Sequence, residues 1–130
     1  MNDLLDVEGL TKRFRLHGLG GREIVGCREV SFRLQSGQCL ALIGQSGAGK
    51  STVLKCLYRT YLPSAGAASY LDAGDVRIDL ATAPDRDLLR LRRLEIAYVS
   101  QFLRAVPRVG AVDVVAEPLA LAGEPLDEAR

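Results

Sequence analysis

Apolar and polar residues alternate in the first part of the chain. Apolar Leu5 and Val7 alternate with acidic residues, and a clearer alternation follows over residues 30–34. A period of two is typical of strands that bury one face. Residues 17–22 between them are rich in glycine, which adopts the positive φ angles of tight connections. The pattern therefore predicts two strands joined by a hairpin-like loop.

A different pattern follows the turn at residues 36–37. Residues 39–43, Cys-Leu-Ala-Leu-Ile, form a continuous apolar run, which is typical of a central strand covered on both faces. A glycine-rich stretch over 44–52 comes next, followed by apolar residues at helical spacing as far as residues 58–61. The predicted order is strand, glycine loop, helix.

The rest of the chain predicts shorter elements. They are strands at 68–71 and 76–80, an Arg-rich helix from Pro84 to about Arg93, a strand at 96–100, and a helix over 111–121 that is bent or restarted at Pro118 and closed by Gly123. Proline and acidic residues over 125–128 are typical of the start of another helix. We therefore expect residues 1–130 to be the N-terminal portion of one longer domain.

Composition narrows the class of protein. The 130 residues are 48% hydrophobic, and 17 Lys and Arg balance 16 Asp and Glu to a net charge of +1. This balance favours neither nucleic acid nor a lipid surface as a partner. No apolar run approaches the roughly 18 residues of a membrane span, and the three cysteines lack metal-ligand spacing. A cytoplasmic protein with reduced thiols is the expectation.

The glycine-rich stretch carries the chemistry. Gly44-x-x-x-x-Gly49-Lys50-Ser51 matches the P-loop (Walker A) pattern, in which backbone N–H groups and a helix N-terminus surround phosphate oxygens. We expect Lys50 to reach the β- and γ-phosphates, Ser51 to ligate Mg²⁺, and Thr52 to contact the α-phosphate. The predicted nucleotide-binding residues are Gly44, Gln45, Ser46, Gly47, Ala48, Gly49, Lys50, Ser51 and Thr52.

Other residues separate the classes of P-loop protein. A GTPase carries an Asn-Lys-x-Asp motif, and the only asparagine here is Asn2, which excludes that class within these residues. Small-metabolite kinases usually begin with the P-loop strand, whereas two strands precede it here. A metabolite kinase and a non-catalytic nucleotide-binding interaction module remain the alternatives to an ATPase.

Two residues outside the loop carry a family resemblance. Phe14 follows the first predicted strand, and Gln101 follows the predicted strand 96–100. In these positions the sequence resembles the ATP-binding-cassette (ABC) ATPases. The resemblance implies an α/β P-loop fold with an antiparallel β subdomain, here with an incomplete nucleotide-binding core. It also implies that Phe14 stacks on adenine and that Gln101, in the Q-loop, contacts Mg²⁺ and the attacking water.

A finer resemblance is to the PhnL-like ATP-binding subunits of the carbon–phosphorus lyase system for phosphonates. Residues 57–63, 79–84 and above all 99–108 (Val-Ser-Gln-Phe-Leu-Arg-Ala-Val-Pro-Arg) carry it. It implies ATP and Mg²⁺ as cofactors, a second cassette packed head to tail, and either the lyase complex or a membrane permease as partner.

The family's Leu-Ser-Gly-Gly-Gln signature, second acidic strand and switch histidine do not occur in these residues. The signature and the acid after that strand contribute to hydrolysis in the intact family. We therefore expect ATP hydrolysis of the full-length protein only, and none by residues 1–130 alone.

Overall fold

A computed structural model describes residues 3–102, 107–125 and 127. The chain divides into two units, Met1–Leu88 and Leu89–Arg130. The first contains a four-stranded antiparallel sheet and the helix that follows the glycine loop. The boundary between the units falls inside the second helix.

A long hairpin forms the start of the sheet. Strand β1 (Asp3–Leu16) pairs with β2 (Arg22–Gln35), and a 3₁₀ turn at His17–Leu19 connects them, which confirms the predicted hairpin. The register shifts between Val7 and Leu10, where Gly9 has a φ of 59°. This bulge places both Val7 and Leu10 in the core although they are three residues apart.

Two shorter strands complete the sheet in the order β2-β1-β3-β4. Strands β3 (Ala65–Leu71) and β4 (Arg77–Asp79) confirm the predicted strand pair. Asp72 shapes the turn between them, because its Oδ1 accepts hydrogen bonds from the backbone N–H groups of Gly74 and Val76 at 2.9 and 2.8 Å. Such side-chain-to-backbone bonds are the reason aspartate favours turns.

Three helices agree with the predicted positions. Helix α1 (Lys50–Leu57) packs against β1 and β2 and buries Val53 and Cys56. Helix α2 (Asp85–Leu94) has acids in its first turn and arginines in its last, as the helix dipole favours. Helix α3 (Ala111–Ala122) continues through Pro118 and ends at Gly123, whose φ is 105°.

Two predicted strands are wrong. Residues 39–43 and 96–100 are not strands in the structure, and Ile43 and Val99 are 91% and 92% exposed. A strand forms when its backbone N–H and C=O groups pair with a neighbour. Within the described residues the sheet contains β1 to β4 alone, so neither apolar run has a pairing partner there.

Candidate functional site

The glycine loop is an exposed turn that leads directly into α1. Residues 43–48 are exposed, and Gly44, Gly47 and Gly49 have φ angles of 153°, 82° and 92°. Gly49 is the N-cap of α1, and no side chain caps the helix. The N–H groups of the first turn therefore remain available as donors at the positive end of the helix dipole. A loop of this shape suits phosphate oxygens.

The Lys50 ammonium group is hydrogen-bonded to the start of the glycine loop. Its Nζ donates hydrogen bonds to the carbonyl oxygens of Gly44 and Gln45 at 2.7 and 2.6 Å. Because an ammonium group has three N–H donors, these two bonds leave one for a further acceptor. The lysine thus links the first residues of the loop to the first residue of α1 and keeps a positive charge within the turn.

Helix α1 is fixed to β2 at a point where both backbones lack a side chain. The position that a Cβ on Gly49 would occupy lies 2.1 Å from the carbonyl oxygen of Gly26. Gly26 lies at a bulge, since Lys12 pairs with Cys27 whereas Arg13 pairs with Val25. Only glycine at position 49 permits this approach, so the contact sets where the glycine loop ends.

A pair of thiols lies beneath this contact. Cys27 of β2 and Cys56 of α1 are buried next to each other, and Cys27 Sγ donates to the Leu10 carbonyl at 3.9 Å. Burial raises the pKa of both thiols, that of Cys56 to about 11. They therefore pack as neutral, small apolar groups, whereas Cys39 is exposed.

Phe14 lies next to the first turn of α1. The position of a Cβ on Gly26 would be 2.6 Å from Phe14 Cε2 and 2.9 Å from Thr52 Cγ2, so the ring and the threonine methyl both border this glycine. Phe14 is half-buried and meets Tyr61 edge to face, with ring centroids 5.1 Å apart and an interplanar angle of 84°. The structure thus brings the predicted aromatic and the predicted P-loop together.

Gln101 belongs to the second unit, whereas the loop and Phe14 belong to the first. It is exposed in a bend, where the Ser100 hydroxyl donates to the Phe102 carbonyl at 2.7 Å. Residues 103–106 of the stretch that carries the finer resemblance lie outside the described residues.

Comparison with known proteins decides the family. A family model described as "ABC transporter" matches residues 27–127, which is most of the chain. The chain belongs to the ABC transporter family. It is 38% identical over 117 residues to the lipoprotein-releasing system ATP-binding protein LolD of Ruegeria sp. (strain TM1040). It is 31% identical over 127 residues to the methionine import ATP-binding protein MetN of Ralstonia nicotianae.

Solved structures show that the chain has the fold of an ABC cassette. The cassette MJ0796, in a dimeric post-hydrolysis state bound to ADP and Pi, superposes with a TM-score of 0.79 at 24% identity, over 96% of this chain and 52% of that one. A second dimeric structure of MJ0796, a bacterial ABC transporter cassette, gives a TM-score of 0.76 at 22% identity, over 93% and 49% of the two chains.

The chain spans less than half the length of these two relatives. The alignment with LolD covers 88% of this chain but 47% of LolD. The alignment with MetN covers 98% of this chain but 34% of MetN. Among the described residues no helix has the length and apolar character needed to cross a membrane.

The structure places further residues around Phe14 that the sequence does not single out. Gly26, Lys12 and Tyr61 all border Phe14, and the Lys12 Nζ lies 5.1 Å from the centre of the Phe14 ring. An isolated glycine inside a strand is a signal for a close backbone approach. Gly26 lies outside the strand predicted at 30–34, so this signal was missed because β2 begins at Arg22. Tyr61 contacts Phe14 across 47 residues of sequence, and no local pattern indicates such a contact.

Proposed function

We propose that this chain is the phosphate- and base-binding part of an ABC-type ATPase and binds ATP with Mg²⁺ through residues 44–52. The observation that carries the proposal is the uncapped N-terminus of α1, preceded by the glycine loop and accompanied by the Lys50 ammonium. Mg²⁺ neutralises phosphate charge and polarises the terminal phosphoryl group when it is bound.

Different residues of the chain would bind the phosphates and the base of the nucleotide. The N–H groups of residues 44–52 bind phosphate oxygens, and Lys50 adds a positive charge at the β- and γ-phosphates. The Ser51 hydroxyl, exposed in the first turn of α1, supplies a hard oxygen ligand of the kind that Mg²⁺ prefers. Phe14 would offer an apolar ring to the base. By the family resemblance, Gln101 would contact the metal ion and the attacking water.

In this proposal the full-length protein hydrolyses ATP, whereas residues 1–130 alone do not. Residues 1–130 would be the N-terminal portion of one cassette that works as a head-to-tail dimer with a second ABC subunit and with a membrane permease. The two relatives are named for lipoprotein release and methionine import, which supports a transport ATPase as the general class.

A role in phosphonate metabolism is the finer proposal. Residues 99–108 support it, because their sequence resembles the ATP-binding subunit of the carbon–phosphorus lyase system. In that case the partner is the lyase complex. Deleting the gene and comparing growth on methylphosphonate with growth on inorganic phosphate tests it. A defect on methylphosphonate alone is expected, and equal growth on both contradicts this assignment without affecting ATP binding.

Calorimetry of the full-length protein at fixed Mg²⁺ tests the nucleotide site. A hydrogen bond to a charged group contributes about 1.5–3 kcal/mol, so Lys50→Ala should weaken ATP binding roughly 10- to 100-fold. Arg86→Ala is the matched control, because it removes one positive charge from an exposed side chain of α2. Equal affinity of wild type and Lys50→Ala would refute the proposed site.

A further inference from the structure

Phe14 lies on a stretch of β1 that is held by a neighbouring segment of chain. Residues 61–64 are the last part of the connection between α1 and β3, and they run beside residues 11–14 of β1. The backbone N–H of Ser64 donates to the Thr11 carbonyl at 2.8 Å, and the Ser64 hydroxyl accepts from the Arg13 N–H at 2.9 Å. We call residues 61–64 the 61–64 segment.

The same segment makes two contacts near the Phe14 ring, one through the Tyr61 side chain and one through the Leu62 backbone. The Tyr61 and Phe14 rings pack edge to face, with their centroids 5.1 Å apart. The carbonyl oxygen of Leu62 accepts a hydrogen bond of 2.8 Å from Lys12 Nζ, and that ammonium lies 5.1 Å from the centre of the Phe14 ring. An edge-to-face ring and a cation are the favourable neighbours of an aromatic ring, so these contacts select one orientation of Phe14.

Tyr61 is also fixed to the helix that begins at the phosphate loop. Its N–H donates to the Lys55 carbonyl at 3.1 Å, and the N–H of Thr60 donates to the same oxygen at 2.8 Å. The Lys55 ammonium lies 5.2 Å from the centre of the Tyr61 ring. A short path of contacts therefore runs from α1 through Tyr61 to Phe14.

From this path we propose that Tyr61 is a positioning residue for the base of the nucleotide. It fixes the Phe14 ring relative to α1, and thereby sets the distance between the base-binding ring and the phosphate loop. The inference rests on the proposed ATP site and adds to it a residue that does not itself contact the phosphates. Its chemical consequence is a preference for ligands that carry a flat base over the bare phosphate chain.

The test compares two ligands that share phosphates and differ in the base. Mg-ATP and Mg-tripolyphosphate are titrated into the full-length protein and its variants by calorimetry. Tyr61→Ala should weaken Mg-ATP binding about 2- to 10-fold, the range expected for loss of one aromatic pair, and leave Mg-tripolyphosphate binding unchanged. Tyr61→Phe keeps the ring and should bind ATP as the wild type does.

Leu62→Ala is the matched control in the same segment. Its side chain is 59% exposed and the acceptor for Lys12 is its backbone carbonyl, so this variant should bind both ligands normally. Phe14→Ala combined with Tyr61→Ala should bind ATP no more weakly than Phe14→Ala alone, because the positioning effect requires the ring that is positioned.

Three results would overturn the inference. They are an unchanged ATP affinity of Tyr61→Ala, an equal loss for both ligands, and additive losses in the double variant. In each of them the wild type still binds ATP, so the proposed function stands. A wild-type protein that binds neither ligand instead contradicts the proposed function, and the role of Tyr61 with it.

Discussion

Replacing Gly49 by alanine would place a methyl group where the phosphate loop and α1 meet β2. Gly49 has φ 92° and ψ 5°, a left-handed conformation that costs an L-residue about 1–2 kcal/mol. The new Cβ would also lie 2.1 Å from the Gly26 carbonyl oxygen, which is backbone and has no rotamer to change. Overpacking of this kind costs about 1–3 kcal/mol. The expected loss of unfolding free energy is therefore about 2–5 kcal/mol.

Gly47→Ala separates the two contributions. Gly47 has a similar φ of 82°, but a Cβ there would meet nothing within 4 Å. This variant should lose only the conformational part, about 1–2 kcal/mol. Alanine also lowers the conformational entropy of the unfolded chain, which favours folding. Both variants share this effect, so it cancels in their difference.

Urea denaturation of the full-length protein, followed by circular dichroism, measures this difference. The m-values must agree between variants for the comparison of free energies to hold. Gly49→Ala should be less stable than Gly47→Ala by about 1–3 kcal/mol. Equal losses in the two variants would refute the reasoning that contact with β2 fixes the end of the loop.

Two further predictions concern the buried thiols and the half-buried carboxylate of Asp79. In the native protein an aromatic disulfide reagent should label Cys39 rapidly, because this cysteine is exposed. It should label Cys27 and Cys56 only on unfolding, because burial raises the pKa of these two thiols. Rapid labelling of all three cysteines would contradict this prediction. Burial alone would raise the pKa of Asp79, but backbone and hydroxyl hydrogen bonds and a nearby guanidinium lower it overall from 3.8. The carboxylate therefore contributes stability that is present above pH 3.8 and is lost as the pH falls through the folded-state pKa. In urea titrations at successive pH values, Asp79→Asn should lose less unfolding free energy on the acid side than the wild type. The same dependence of unfolding free energy on pH in both proteins would contradict this prediction.

Local signals predicted the elements whose determinants lie close together in sequence. The hairpin followed from alternation and a glycine turn, and the structure has it as β1 and β2. Helix α3 ends at Gly123, where glycine adopts the left-handed conformation of a helix C-terminus. The spacing from Gly44 to Ser51 predicted a loop that leads into a helix, and the helix begins at Lys50. Each of these features is decided within a few residues.

Features that depend on distant residues were not predictable in the same way. An apolar run becomes a strand when another strand pairs with it, and the predicted strands at 39–43 and 96–100 have no pairing partner among the described residues. The contact of Phe14 with Tyr61 likewise depends on the path of the chain between them. The sequence offered both aromatic residues, but only the antiparallel arrangement of β1 beside the 61–64 segment brings them together.

Because residues 39–43 do not form the predicted strand, a different contact positions the phosphate loop. The motif leads one to expect a preceding strand that positions the loop, yet residues 39–43 are not a strand and Ile43 is 91% exposed. The loop is instead fixed from its far end, where Gly49 touches Gly26 and the Val53 and Cys56 side chains of α1 are buried. The position of α1 on β2 is therefore sufficient to place the uncapped N–H groups and Lys50, because all of them lie in or before its first turn.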